Sequence, residues 1–286
     1  MSMILGILRA ACFSPGMVER DEAILRAVMV RLHEHGHYTQ LIHEEEFTID
    51  IPMPHTVLHM ARSSEALAIL AQWQVAGCRV LNPVEGILSI ERAALARLCA
   101  QQGIATPTTW IVPTASPTAT TATTTEDKLV PITFPCWIKR AGSCAQCADD
   151  VCRADDCREY SAALTRLHTR GITQAVVMEH LEGSIIKFYA VQGTPFSYCI
   201  PAASLGYDKF ATDSCCTTDT HAEHYAASIT HLLNNLHSPL PIFGGDAVLG
   251  HDGIARLIDL NDWPSFSACR EAAADAIAYI AEEPLP

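Results

Sequence analysis

Apolar positions along this chain recur with two different periods, and the order in which they alternate predicts its elements. Met3–Arg9 is a short apolar run read as a strand, and Ser14-Pro15-Gly16 follows it as a loop. Residues 21–35 carry apolar side chains at 24, 25, 28, 29 and 32, the helical spacing. Tyr38–Ile42 and Met53–His59 read as extended, Ser64–Gln74 as helical, and Arg79–Leu81 as a strand ended by Asn82-Pro83. A helix is predicted over Ser89–Gln102, with Ser89 as its N-cap and Gly103 just past its end. Strands alternating with helices in this way predict a parallel α/β lobe over residues 1–112.

Beyond it the pattern changes. Pro113–Asp127 is rich in Thr, Ala and Pro and lacks an apolar period, so a loop or linker is expected there. Strands are predicted at Phe134–Arg140, Ala175–Glu179, Ile185–Gln192, Phe196–Pro201, Asp246–Leu249 and Ala255–Leu260. Helices are predicted at Cys157–Arg170, Thr220–Leu236 and Ser267–Ala281. This second part reads as α+β with antiparallel hairpins, divided here into subdomains 113–176 and 177–286.

The richest stretch chemically is Phe243–Phe266. It reads as a hairpin whose strands flank the turn Gly250-His251-Asp252-Gly253. With an even-numbered loop, Asp246 lies opposite Leu257 and diagonal to Asp259. Side chains alternate along a strand, so 257, 259 and 261 share the face of Asp246, while Ile258 and Leu260 face a core. Diagonal neighbours are about 7–8 Å apart, so Asp246, Asp259 and Asn261 can converge on one ion or two. Oxygen ligands without sulfur or imidazole suit a hard ion such as Mg²⁺.

Composition narrows the picture. The chain has 286 residues, 49% hydrophobic and 18% charged, which is a folded globular balance with room for a large core. Its net charge of −13, with no basic run, argues against non-specific binding to nucleic acid or anionic membranes. No apolar stretch approaches the ~18 residues of a membrane span. The start lacks the basic region and apolar core of a signal peptide, so a cytoplasmic setting is expected. Of the 12 cysteines, Cys144, Cys147, Cys152 and Cys157 cluster in sequence, but the second CxxC of a zinc ribbon is missing. His33, His35 and His37 do not share a helix face, because Gly36 is expected to end the helix.

Several further segments, in order, resemble the ATP-grasp superfamily. Pro135-Cys-Trp-Ile-Lys139-Arg140 resembles its phosphate-contacting lysine strand. Val176-Val-Met-Glu179-His180-Leu181-Glu182-Gly183 resembles the hinge that reads adenine through its backbone, and Ile185–Gly193 resembles the strand after it. Asp246 and Asp259-Leu-Asn261 resemble the metal-binding residues. Leu81-Asn82-Pro83 and Glu91-Arg92 resemble the end of the lobe that precedes the nucleotide domains. The amino-acid-ligase-like and inositol-phosphate-kinase-like branches are the most similar.

The resemblance implies an N-terminal parallel lobe followed by two α+β subdomains clasping ATP. It implies ATP and Mg²⁺, two ions, as cofactors, and a small-molecule acceptor as partner. Nucleotide-holding residues would be Arg92, Lys139, Ser143 in the Gly142–Ala145 flap, Glu179, His180, Leu181, Glu182 and Lys187. Asp246, Asp259 and Asn261 would hold metal. Lys187, Arg9 and Lys209 are the catalytic candidates, Arg9 because ligands bind at the C-terminal ends of strands in open α/β sheets. The expected reaction is ATP-dependent ligation of a small carboxylate. A small-molecule kinase is the alternative, and a Cys-rich metal-binding protein a second one. The acceptor lobe has arginines at 9, 20, 26 and 31 but no lysine, and a helix would solvate most of them. That scarcity of cations favours the ligase.

Overall fold

The computed structural model describes residues 3–142, 146–205 and 222–283. The N-terminal lobe is a parallel sheet of β1 (Met3–Leu8), β2 (Tyr38–His43), β3 (Thr56–His59) and β4 (Arg79–Leu81) in the order β2-β1-β3-β4. β1 is buried on both faces, which is why it reads as a continuous apolar run. Ile4 and Leu8 pack against α1 (Val18–Glu34), while Leu5 and Ile7 pack against α2 (Ser64–Val75) through Leu70 and Trp73.

Two short helices follow, α3 (Val84–Ser89) and α4 (Arg92–Gln102). Ser89 is therefore not an N-cap. It ends α3, its hydroxyl donating to the Gly86 carbonyl at 2.7 Å, and Glu91 precedes α4. Val84 and Ile87 find their own burial, which gives this turn a helix separate from α4. Gly103 closes α4 with a φ of 67°, as expected.

The central sheet is antiparallel, with β5 (Thr109–Pro113), β8 (Cys136–Arg140), β9 (Val151–Ala154) and β10 (Gln174–Glu179) in the order β5-β10-β8-β9. Helix α5 (Cys157–Thr169) covers one face. The Thr-rich segment is not all loop, because β6 (Thr121–Thr123) pairs with β7 (Leu129–Pro131), and the Thr125 N–H bonds Thr109 of β5. β-branched threonines suit such a strand even where no apolar alternation announces it. The boundaries expected at 112/113 and 176/177 fall inside β5 and β10.

The third sheet is antiparallel too, with β11 (Ser184–Val191), β12 (Ser197–Pro201), β13 (Ile242–Leu249) and β14 (Ala255–Asp262) in the order β12-β11-β13-β14. α6 (Ala222–Asn235) covers one face, where Ile229 and Leu232 meet Phe188, Ala247 and Leu257. α7 (Arg270–Glu282) covers part of the other, and its Ala274 and Ile277 share one core with Ile24 and Val28 of α1 and Tyr189 of β11. His35 and His37 both reach Glu282 of α7, at 2.9 and 3.0 Å.

Two polar staples fasten the N-terminal lobe to the strands of this third sheet. The fully buried Asn82 side chain accepts from the Ile242 N–H at 2.8 Å and donates to the Ile242 carbonyl at 2.7 Å. At the same end of the hairpin, where Asp262 of β14 pairs with Phe243, the buried Asp262 carboxylate pairs with Arg62 and, at 3.9 Å, with Arg9. Replacing Asn82 by Ala orphans a buried donor and acceptor, and is expected to cost about 2–4 kcal/mol of unfolding free energy. Denaturant titration checks this, and an unchanged midpoint would show that Ile242 finds other partners.

Candidate active site

The chemistry gathers on the part of the third sheet's second face that α7 leaves uncovered, and its geometry depends on the β13–β14 register. Leu249 pairs with Ala255, so the turn spans residues 250–254 rather than an even-numbered loop. The register then shifts between Asp246 and Ala247, a β-bulge at Ile258, so Asp246 lies directly opposite Asp259. The sequence-based register placed Asp259 on the diagonal and Leu257 opposite. A one-residue slip reverses which face a strand presents, and the longer turn and the bulge are two such slips. Together they return Asp259 and Asn261 to the face of Asp246. Leu257, before the bulge, instead joins Leu260 in the core under α6. Only glycine fits at Gly245 beside the bulge, where a Cβ would meet the Asp259 carbonyl at 2.4 Å.

Lys187 of β11 lies directly opposite Asp246 on the other side, its Nζ 2.6 Å from the carboxylate. Lys187, Asp246 and Asp259 thus form one row across three adjacent strands. Arg92, at the start of α4, brings its guanidinium within 4.0 Å of Asp259. Lys139 of β8 projects from the central sheet across the gap and donates to the Ile258 carbonyl at 2.6 Å, a group the bulge releases from the ladder.

Burial pushes the Asp246 carboxyl above its ordinary range; Lys187 opposes that shift and the facing Asp259 adds to it. Burial pushes the Lys139 ammonium below its ordinary range, with Arg92 adding to this and the two carboxylates opposing it. Two carboxylates face each other and Asn261 offers a neutral oxygen beside them, a donor set that fits a hard divalent ion. Among the described residues, no group of three or more His, Cys, Asp and Glu side chains is placed to hold a metal. The sulfur site considered from the cysteine spacing is not seen there, and Cys144 lies outside the described residues.

One cleft runs from this row between the sheets. The central sheet contributes Thr109, Lys139, Val176 and Met178, α4 contributes Arg92 and Leu95, and β14 contributes Ile258 and Asp259. It is apolar at one end and charged at the other. At the hinge, the Glu179 N–H bonds Thr108 and the His180 N–H bonds Pro135, at 3.0 and 3.1 Å. Trp137 donates its indole N–H to His180 Nδ1 at 3.1 Å, and burial, followed by nearby Arg153, lowers the His180 pKa. Leu181 is half-buried, Glu182 is exposed, and Gly183 crosses to β11 at a φ of 151°, a conformation open to glycine.

Arg9, expected at the mouth of a substrate site, is buried. It donates to the Met60 carbonyl at 3.3 Å and pairs with Asp21 at 3.8 Å as well as with Asp262. Burial of Asp262 at the base of the lobe draws it inward. Ser143 and Lys209 lie outside the described residues. Sequence reasoning missed a second cleft, lined by Arg20, Lys187, Tyr189, Asp246, Asn261, Pro264 and Ser265. Most of the N-terminal arginines were expected to be solvated, yet Arg20 stands one turn before Ile24 on the stripe 20-24-28 that α1 turns inward. That spacing was the available signal.

No family sequence profile and no curated protein sequence matches this chain. Solved structures do match it over nearly its full length. An ATP-grasp RimK domain protein from Sphaerobacter thermophilus aligns with TM-score 0.68 and 15% identity, covering 99% of this chain and 100% of that one. The VanG D-Ala:D-Ser ligase of Enterococcus faecalis aligns with TM-score 0.65 and 13% identity over 97% and 98%. A D-alanine–D-alanine ligase from Bacillus anthracis complexed with ATP aligns with TM-score 0.62 and 12% identity over 97% and 95%. The fold of this chain is the ATP-grasp fold, as the order of its motifs implied.

The facing carboxylates generate a prediction that does not depend on turnover. Asp259→Asn removes the like charge beside Asp246 while keeping size and shape. Its melting temperature without ligand is expected to equal or exceed that of the parent, while any stabilisation by Mg²⁺ added with ATP is lost. Calorimetry with and without Mg²⁺ checks both halves, and a Mg²⁺-dependent shift that survives in the variant would remove Asp259 from the metal site.

Proposed function

We propose that this ATP-grasp chain is a Mg·ATP-dependent ligase that activates a small carboxylate as an acyl phosphate for condensation with an amine or another nucleophile. The observation that carries the proposal is the row Lys187, Asp246 and Asp259, with Lys139 and Arg92 reaching it from the central sheet and α4. Three cations and two carboxylates meet between two sheets, an arrangement suited to a triphosphate accompanied by a divalent ion. Asp246, Asp259 and Asn261 would hold Mg²⁺, one ion or two, which when bound neutralises charge on the β- and γ-phosphate oxygens.

In this reading Lys139 holds the phosphates with a compact charge, made less costly to desolvate by the carboxylates beside it. Arg92 adds a second cation from the α4 side. The backbone of Glu179 and Leu181 reads the adenine edge, with His180 and Glu182 beside it and Met178 beneath the ring. A substrate carboxylate oxygen attacks the γ-phosphorus as the bond to the ADP oxygen breaks. The nucleophile then attacks the acyl carbon, phosphate leaves, and an amine nucleophile gives up a proton. Lys187, at the junction of the two clefts, is placed to hold the transferring group. Positioning and charge neutralisation supply most of the rate in such transfers. Ser143 and Lys209 are proposed beside the phosphates on sequence grounds alone.

Ligation is preferred to transfer onto an alcohol of a polyphosphorylated acceptor because the second cleft carries two cations, Arg20 and Lys187, and the latter is engaged by Asp246. Several convergent cations would be needed for several phosphates. The named ligases among the similar structures point the same way.

Two measurements test the proposal. Mg·ATP is expected to raise the melting temperature, since a ligand at a hundredfold excess over its Kd stabilises the native state by about 2.7 kcal/mol. Lys139→Ala is expected to remove most of that shift; an undiminished shift would place the phosphates elsewhere. In turnover with candidate acids and amines, ADP and inorganic phosphate are expected to appear together with a condensed product by mass. A stable phosphorylated alcohol with no phosphate released would establish a kinase instead.

A further inference from the structure

The second cleft has a side that the nucleotide reading does not use. It is bounded by the Lys187–Asp246 pair on one wall and by Arg20 of α1 on the other. Tyr189 and Asn261 lie along it, and Pro264 and Ser265 close it. Burial pushes the Tyr189 phenol up to about 12, so it stays neutral and can donate.

The closing segment is held in an unusual backbone conformation. Trp263 and Phe266, which flank Pro264 and Ser265, have φ of 40° and 47°. Both rings are buried, at 1% and 0% exposure, in the core shared by α1 and α7. Non-glycine residues at positive φ are strained and persist where surrounding packing over-determines them, commonly at ligand sites. The same segment continues to Ser267, whose hydroxyl accepts from Arg20 at 3.1 Å. A strained, buried loop therefore both shapes the cleft wall and orients the guanidinium on it.

We infer that this cleft seats the substrate, that the substrate is a small molecule carrying a carboxylate which the reaction does not consume, and that Arg20 is the residue that selects for that carboxylate. The inference rests on the ligase reading. Asp246 already engages Lys187 and stands beside the metal donors, so the reacting end of the substrate belongs near that wall. Arg20 stands on the other wall, where a guanidinium can hold a carboxylate through two parallel hydrogen bonds. A substrate with one acid to activate, or an amine to acylate, and a second acid to be held would span the two. Amino acids and small dicarboxylic acids have this form, and monocarboxylic acids without an amine, and carboxamides, do not.

The test uses the full chain with Mg·ATP and a panel of amino acids and dicarboxylic acids, each beside its mono-amide. ADP release and the melting temperature of the Mg·ATP-bound protein are read for each compound. At least one acid is expected to outperform its amide by tenfold or more in kcat/KM. Arg20→Ala should erase that preference, mainly by raising KM for the acid about 10- to 100-fold, with Arg20→Lys intermediate. The Mg·ATP shift should be unchanged in both variants. Retained preference for the acid in Arg20→Ala overturns the inference. So does a panel in which no acid drives ADP release or stabilises the Mg·ATP-bound parent protein. In either case an intact Mg·ATP shift leaves the nucleotide reading standing, whereas its absence in the parent removes that reading first.

Discussion

Two carboxylates set directly opposite one another on neighbouring strands repel, and much of the C-terminal half of this chain serves to keep them there. Asp246 and Asp259 face each other because a bulge at Ile258 adds one residue to β14. Lys187 offsets part of the repulsion from the adjoining strand, and burial makes the remainder costly. The same bulge turns the Ile258 carbonyl toward the central sheet, where Lys139 takes it. One irregularity in one ladder thus sets the carboxylate pair, the core position of Leu257 and the contact between two sheets.

The row needs a fixed frame, and the N-terminal lobe supplies it at one end of the site hairpin, where Phe243 pairs with Asp262. Asn82 holds Ile242, where β13 begins, and Arg9 and Arg62 hold Asp262, where β14 ends. Beside these points α1 and α7 share one apolar core with Tyr189, Trp263 and Phe266. A buried carboxylate with two guanidinium partners is a costly way to fasten two elements, because each charge must be desolvated. What it adds over apolar packing is register. Asn261 precedes Asp262, so fixing one fixes the orientation of the other. Arg9 is buried in that contact.

The central sheet reaches the site differently. Its Lys139 and the adjoining hinge meet the third sheet across a cleft. On its other face, Ile138 and Val177 pack with Tyr160 and Leu164 of α5. Strand alternation alone separates the two roles: Ile138 faces the helix and Lys139 the cleft. A nucleotide held here would therefore be contacted by one face of each sheet, with the apolar end near Met178 and Val176 and the charged end at the row.

Much of this was written in the sequence, for reasons that are local. The apolar period of α1, the buried run of β1, the positive-φ glycine after α4 and the strand alternation around Lys139 are each properties of a few neighbouring residues. The residue types of Asp246, Asp259 and Asn261, and their place on a hairpin, were legible for the same reason. Register was not, because turn length and the bulge depend on packing against Phe188 and α6, which no local pattern encodes. The Thr-rich hairpin was hidden because its two short strands pair with each other without an apolar alternation of their own. The second cleft was illegible as a cleft: Arg20 and Ser265 are 245 positions apart, and they meet because α1 and α7 bury one another's apolar faces. The chain's own pattern determined which elements form and which residues could do chemistry, since those follow from side-chain type and period. Which of them stand together was decided by the tertiary structure, because only the packing of distant elements sets the distances on which charge and coordination depend.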